Sequence, residues 1–107
     1  MYAPTNQRRN MHNVALLATM KAKPGKEETV SEFLKSALEL ARQEETTLSW
    51  FAFRIDESSF GIFDTFEDDN GRQAHLNGEI AKQLMAGAEE LLSEPPVTQP
   101  VDVLAAK

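Results

Sequence analysis

The amino-acid sequence predicts an α+β domain in which two helical regions cover one face of a four-stranded antiparallel sheet. Residues 48–66 hold six of the chain's eight aromatic residues, in two strand-like runs on either side of a polar turn at 56–59. Residues 30–41 place apolar side chains at helical spacing, which is typical of an amphipathic helix. With strand-like runs near both ends, the order is β-α-β-β-α-β, that of the ferredoxin-like sandwich.

The length and composition fit one globular domain. The chain has 107 residues and is 41% hydrophobic, enough for a core of modest size. Residues 1–12 are polar and aperiodic, so we expect a flexible N-terminal tail, with an arm that reaches over a partner subunit as the alternative. Residues 13–107 are expected to form the single domain.

Charge and composition argue against several partners and sites. The formal net charge of −6 disfavours nucleic acid and anionic membrane surfaces, since both attract positive charge. The chain has no cysteine, which excludes disulfides and thiolate chemistry. No apolar run reaches the roughly 18 residues of a membrane span, and the N-terminus does not look like a signal peptide. We therefore expect a cytoplasmic protein with neither a nucleic-acid nor a membrane partner.

The first strand and helix are separated by Pro24-Gly25. Residues 14–23 are apolar on both faces over their first half, which predicts a central strand. A helix is predicted from 26 to 43, with Glu27 and Glu28 in the first turn, where carboxylates favour the positive end of the helix dipole.

The aromatic hairpin sets which residues share a face. A two-residue turn at Glu57-Ser58 would place Phe53 opposite Ile62. One face would then carry the residues Phe51, Phe53, Asp64 and Phe66. The other would carry Trp50 and Phe63.

The second helical region is predicted in two pieces. Asp68 or Asp69 is a plausible N-cap for a short helix at about 70–77, which Gly78 closes. A second helix follows at about 79–92 and stops before Pro95-Pro96. Residues 97–106 form the last strand, in which Pro100 predicts an edge position or a strand entry.

A four-stranded sheet covered by helices on one side leaves its other face apolar. Such a face is normally an interface. The sequence therefore predicts a homodimer that packs sheet against sheet through the face carrying Trp50 and Phe63.

The candidate site combines Asp64 with Arg72 and His75. Arg72 and His75 lie three residues apart on the short helix and share a face, and a carboxylate in an aromatic surface must be paired or protonated. One reading is that Asp64 pairs with Arg72 or His75 and fastens the helix to the sheet. The other is that Asp64 and His75 line a pocket in which His75 exchanges a proton near neutral pH. No metal-ligand spacing appears, so no metal is expected.

Four segments of the chain resemble the antibiotic biosynthesis monooxygenase family of dimeric α+β barrel proteins: residues 16–34, 47–56, 60–76 and 100–107. The resemblance implies oxygenation of small aromatic or quinol-type substrates in a pocket between sheet and helices, with no cofactor. It implies His75 as the base, oriented by Asp64, with Arg72 favouring a substrate anion. The residues implied as substrate-binding walls are Phe51, Phe53, Phe66 and Met85.

The chain departs from the heme-degrading relatives at two positions, and two alternative functions stay open. Heme-degrading relatives use an asparagine and a tryptophan where this chain has Ala18 and Phe66, which argues against heme degradation. The first alternative function is a non-enzymatic dimeric binding or stress-associated module of the same fold. The second is an isomerase or decarboxylase, which would need a carboxylate site near Arg72 or Arg54.

Overall fold

The computed structural model describes residues 11–107, so the first ten residues of the predicted tail lie outside the described part. The strands are β1 (Val14–Lys21), β2 (Ser49–Arg54), β3 (Ser59–Phe66) and β4 (Val97–Asp102). The helices are α1 (Glu27–Gln43), α2 (Asp69–Leu76) and α3 (Glu79–Leu91). The predicted βαββαβ order, with its second helical region in two pieces, is confirmed.

The four strands form one antiparallel sheet in the order β2-β3-β1-β4. β1 is central, as its two apolar faces predict, and β4 lies at an edge, as Pro100 predicts. Asp68 is the N-cap of α2, because its side chain accepts a hydrogen bond from the Gly71 N–H at 3.1 Å. No helix in residues 11–107 is long and apolar enough to cross a membrane.

The core lies between the helices and one face of the sheet. Phe60 and Ile62 of β3 pack with Met20 of β1 against Val30 and Leu34 of α1. These α1 residues belong to the predicted apolar stripe, so the helix docks through the face that the sequence indicates.

The predicted hairpin register is wrong by one residue. Ala52, rather than Phe53, lies opposite Ile62. The loop has three residues instead of two: the Ile55 N–H donates to the Ser59 carbonyl at 2.8 Å. The Asp56 carboxylate stabilises this loop by accepting hydrogen bonds from the backbone N–H groups of Ser58 and Ser59, at 3.1 and 2.8 Å.

A slip of one residue exchanges the two faces of β2 relative to β3. Trp50 therefore lies on the helix side, opposite Asp64, and packs against the core. Phe51 lies on the open side, opposite Phe63. The prediction that Phe51 and Phe53 share a face with Asp64 and Phe66 is wrong, as is the grouping of Trp50 with Phe63. The physical cause is the side chain of Asp56, which accommodates one more residue in the turn.

Gly61 makes room for an aromatic ring on the open face of the sheet. It lies directly opposite Phe53 on β2. A Cβ atom at Gly61 would lie 2.3 Å from Cζ of Phe53, a distance that no real contact allows. The absence of a side chain at this position therefore sets where the Phe53 ring lies.

We predict that Gly61→Ala destabilises the protein by about 1 kcal/mol, because the exposed Phe53 ring must turn away and the Ala18 carbonyl oxygen would lie only 3.1 Å from the new Cβ. Gly87→Ala is the matched control, because its Cβ would meet only Leu91 at an ordinary 3.4 Å within α3. That substitution should stabilise the protein by about 0.5–1 kcal/mol. Urea unfolding of both variants measures the difference, and equal effects would contradict this account of Gly61.

Candidate functional site

His75 stands between two carboxylates. Its Nε2 lies 2.9 Å from Oδ2 of Asp64, and its Nδ1 lies 2.7 Å from Oε1 of Glu44. Asp64 belongs to β3, His75 to the last turn of α2, and Glu44 is the C-cap residue of α1. This carboxylate–imidazole triad (Glu44, Asp64 and His75) therefore joins three separate elements.

Local packing and one hydroxyl position the triad. The His75 ring lies 5.5 Å from the Phe66 ring, centroid to centroid, which orients α2 over the end of β3. The Thr47 hydroxyl donates to Oε1 of Glu44 at 2.6 Å and holds that carboxylate where α1 ends. Of the two partners predicted for Asp64, His75 is the one that the structure brings to it.

The triad is largely removed from water. His75 is 8% exposed and Asp64 only 1%. The Asp64 contact is an ion pair, and His75 is the one partner that either Asp64 oxygen has among residues 11–107. A buried carboxylate in this state depends on the charge of its partner.

The imidazole is cationic at neutral pH. Burial by itself lowers the pKa of His75, but attraction to Asp64 and then to Glu44 outweighs burial and raises that pKa to about 9. Both ring nitrogens face an acceptor oxygen, so both carry a proton. An imidazolium at pH 7 has no lone pair with which to accept a substrate proton.

Arg72, predicted to favour a substrate anion, is engaged elsewhere. Its Nε and Nη2 donate to Oδ1 of Asp69 at 3.1 and 3.0 Å. Its Nη1 reaches the carbonyl oxygens of Ala15 and Val101 at 3.3 and 3.4 Å. Arg72 thus connects α2 to the backbone of β1 and β4.

An apolar cavity of about 460 Å³ lies between α1 and the outer edge of β2. We call it the edge groove; it is lined by Ser31, Leu34, Lys35, Leu38, Trp50, Phe51, Ala52, Phe53, Arg54 and Phe60. Of the predicted substrate walls, Phe51 and Phe53 line it. Phe66 is fully buried beside His75, and Met85 is 62% exposed on α3, so neither belongs to it.

The edge groove contains cations and no carboxylate. The Arg54 guanidinium lies 4.9 Å from the centroid of the Phe60 ring, and its Nη2 donates to the Glu57 carbonyl at 2.7 Å. Trp50 Nε1 is buried and has no acceptor among the described residues. The groove thus combines an apolar lining with donors that residues 11–107 leave partly unused.

A second cleft, of about 450 Å³, lies on the far side of the triad. His75 and Glu44 form part of its wall together with Glu45 and Glu79. No group of three or more metal-ligating side chains occurs in the part of the chain that the structure describes.

Sequence reasoning missed Glu44, Trp50 and Lys35 as site residues, and it named Arg54 only for the isomerase or decarboxylase alternative. Glu44 follows the periodic part of α1, where the pattern predicts fraying. The predicted hairpin register places Trp50 on the open face. The signal that could have placed it is the run Asp56-Glu57-Ser58, since an aspartate that begins a loop bonds to backbone N–H groups further along it.

No protein-family model matches the chain, and no curated protein matches it. Among solved structures, a protein of unknown function from Nitrosomonas europaea is 52% identical, with a TM-score of 0.89 over 91% of this chain and 94% of that one. A Pseudomonas aeruginosa protein is 26% identical, with a TM-score of 0.75 over 88% and 96% of the two chains. An antibiotic biosynthesis monooxygenase is 18% identical, with a TM-score of 0.75 over 86% and 99%. The last is a likeness of fold alone; it supports the resemblance at that level and names no substrate for this chain.

We predict that the protein loses stability as the pH rises through about 9. The folded-state pKa of His75 is about 9 against an ordinary 6.5, so its contribution is complete below pH 6.5 and is lost as the pH rises through 9. The size of this contribution is roughly 3 kcal/mol. Urea unfolding between pH 6 and pH 10 measures it.

His75→Gln should abolish most of that pH dependence and cost about 3–5 kcal/mol at pH 7, because it leaves Asp64 buried beside a neutral group. Asp64→Asn in the same chain should recover part of the loss, while His12→Gln is the control for the other histidine. An unchanged pH profile in His75→Gln would contradict the assignment.

Proposed function

We propose that this chain, which belongs to the same family as the Nitrosomonas europaea protein of unknown function, binds a small quinol-type aromatic molecule in the edge groove and oxygenates it without a cofactor. The observation that carries the proposal is the edge groove itself. Its volume of about 460 Å³ lies in the range of ligand sites, and its lining is mainly apolar and aromatic. It also lies between a helix and the sheet, where the family resemblance implies a substrate pocket.

The groove supports the deprotonated form of a phenolic ligand. Lys35 and Arg54 line it, and no acidic side chain does. Positive charge near a bound phenol or anthrone lowers the ligand's pKa and favours the electron-rich anion. Such an anion reduces dioxygen directly: an anthrone methylene and O₂ give a quinone carbonyl and water. The protein then contributes binding, orientation and partial exclusion of water.

The roles predicted for His75 and Asp64 stay predictions. Neither residue lines the edge groove. His75 would first have to release its own proton before acting as a base, since its pKa is raised to about 9. Trp50 offers an indirect connection, because it lines the groove and lies opposite Asp64 on the same face of the sheet.

A specific observation favours the second candidate, a non-enzymatic module that binds the same class of ligand. Asp64 and His75 are buried, the triad is paired internally, and none of its three residues lines the edge groove. Under this alternative the groove binds an aromatic molecule and releases it unchanged.

We also propose a homodimer, formed through the open face of the sheet. Phe51 is 59% exposed there, Phe53 36%, and Phe63 lies between them and the centre of the sheet. Exposed aromatic side chains that adjoin in this way are typical of an interface. Trp50 takes no part, since it lies on the helix side.

For oxygenation, we predict that the protein accelerates oxygen uptake by anthrone or 1,4-naphthohydroquinone at least tenfold over autoxidation. Ala52→Trp should remove this acceleration because it fills the groove. Ala86→Trp is the matched control, an exposed alanine on α3 outside the groove. An oxygen electrode measures the uptake, and a peroxide assay separates oxygenation, which releases water, from oxidation of the quinol to a quinone, which releases H₂O₂. Binding without oxygen uptake would favour the module. If the protein neither binds these two substrates nor accelerates their oxygen uptake, both candidate functions are overturned.

For the dimer, we predict that Phe51→Glu converts a dimer to a monomer at micromolar concentration, because it places a charge in an apolar interface. Met85→Glu is the control, since Met85 is 62% exposed on α3. Sedimentation equilibrium distinguishes the two states. A wild-type protein that is already monomeric would contradict the interface.

A further inference from the structure

We propose that the aromatic ligand of the edge groove carries a carboxylate, which Arg54 and Lys35 bind at the rim. This inference rests on the groove being the ligand site of the proposed function, and it adds the ligand's charge and recognition group. It follows from how charge is distributed between the clefts, from the geometry of Arg54, and from the donors that the groove leaves unused.

The edge groove is lined by positively charged side chains, although the chain as a whole is acidic. The protein has 17 acidic residues against 11 lysines and arginines. The groove is nevertheless lined by two cations and no carboxylate, whereas the cleft beside the triad is lined by Glu44, Glu45 and Glu79 and by no lysine or arginine. The cleft of similar volume thus repels an anionic ligand, whereas the groove offers it two cations whose present partners, Glu28 and Glu32, are exposed glutamates.

Arg54 is held in a position to bind a carboxylate. Stacking over Phe60 and the hydrogen bond from Nη2 to the Glu57 carbonyl restrict its guanidinium. Nε and Nη1 donate to no acceptor among residues 11–107, which leaves part of the planar fork available. Its ion pair with Glu28, at 3.4 Å, involves a glutamate that is 79% exposed, and such pairs are weak enough for a ligand to replace.

Lys35 supplies the second cation of the rim, and Trp50 lines the groove beside it. Lys35 pairs only with Glu32 in the described part of the chain, at 3.4 Å and with both side chains 71% exposed. The Trp50 indole N–H has no acceptor there but is itself buried, so it reports a ligand in the groove rather than binding one. A carboxylate is also a stronger hydrogen-bond acceptor than a sulfonate, whose single charge is spread over three oxygens, so charge-assisted bonds from Arg54 and Lys35 favour the carboxylate.

The test compares three probes of one shape: 2-naphthoate, neutral 2-naphthamide, and naphthalene-2-sulfonate. Calorimetry gives their affinities. The indole N–H resonance of Trp50 reports groove binding, because the chain has one tryptophan. We expect naphthoate to bind at least tenfold more tightly than naphthamide at low salt and more tightly than the sulfonate, with each probe shifting the Trp50 resonance.

Substitutions at the rim assign the preference to its residues. Arg54→Gln should reduce the naphthoate preference to less than about threefold, Arg54→Lys should keep part of it, and Arg42→Gln, an exposed arginine on the same helix as Lys35, should leave it unchanged. Lys35→Gln is a second variant at an exposed position, where folding is not at risk.

The inference is overturned if naphthamide or the sulfonate binds as tightly as naphthoate, or if the preference survives both Arg54→Gln and Lys35→Gln. Oxygen uptake with neutral quinols but no carboxylate preference overturns this inference and leaves the oxygenase proposal standing. Carboxylate binding without any oxygen uptake supports this inference and contradicts the oxygenase. If none of the probes shifts the Trp50 resonance, this inference and the oxygenase proposal are both overturned.

Discussion

A buried aspartate must have a cation beside it, and in this protein that requirement connects the helices to the sheet. Asp64 is 1% exposed on β3, the hairpin strand that lies inside the sheet. His75 can supply the positive charge only if α2 lies over the end of β3. The second nitrogen of the same ring then needs an acceptor, which Glu44 provides from the end of α1. One imidazolium thus fixes how three elements meet, at a site where breaking either contact would leave a buried charge unpaired.

The edge groove follows from how far α1 covers the sheet. Val30, Leu34, Ala37 and Ala41 are buried, whereas Leu38 remains 39% exposed. The apolar stripe of α1 is therefore wider than the surface that the sheet offers it. Its excess width faces the outer edge of β2, together with Lys35 one turn away. The contact between Glu44 and His75 holds the C-terminal end of α1 against the interior. The edge groove lies along the turns of α1 that precede this contact.

Much of the architecture could be predicted from the sequence, because apolar periodicity and helix-capping residues are local signals. The order of elements, the central β1, the Asp68 cap and the pairing of Asp64 with His75 follow from such signals. The hairpin register could not be read in the same way. Turns of two and three residues fit the same composition, and the hydrogen bonds of Asp56 decide between them. Because the loop has one residue more than predicted, Trp50 lies on the helix side, where it lines the groove, and Phe51 lies on the open face. Glu44 was missed because a C-cap carboxylate leaves no periodic trace.

The two edges of the sheet differ in how readily they accept another strand. The Val103 N–H donates to the Asn13 carbonyl. By the alternation of an antiparallel ladder, the Leu16–Pro100 pair makes no ladder hydrogen bonds, and the nitrogen of Pro100 faces outward. Proline therefore costs β4 no internal bond while it removes a donor from the exposed edge, a device that hinders aggregation through strand addition. β2 contains no proline. Its exposed peptide groups lie beside the edge groove, next to α1 and the Arg54 side chain. Aggregation of this protein by strand pairing would accordingly begin at β2, and a ligand in the groove would oppose it.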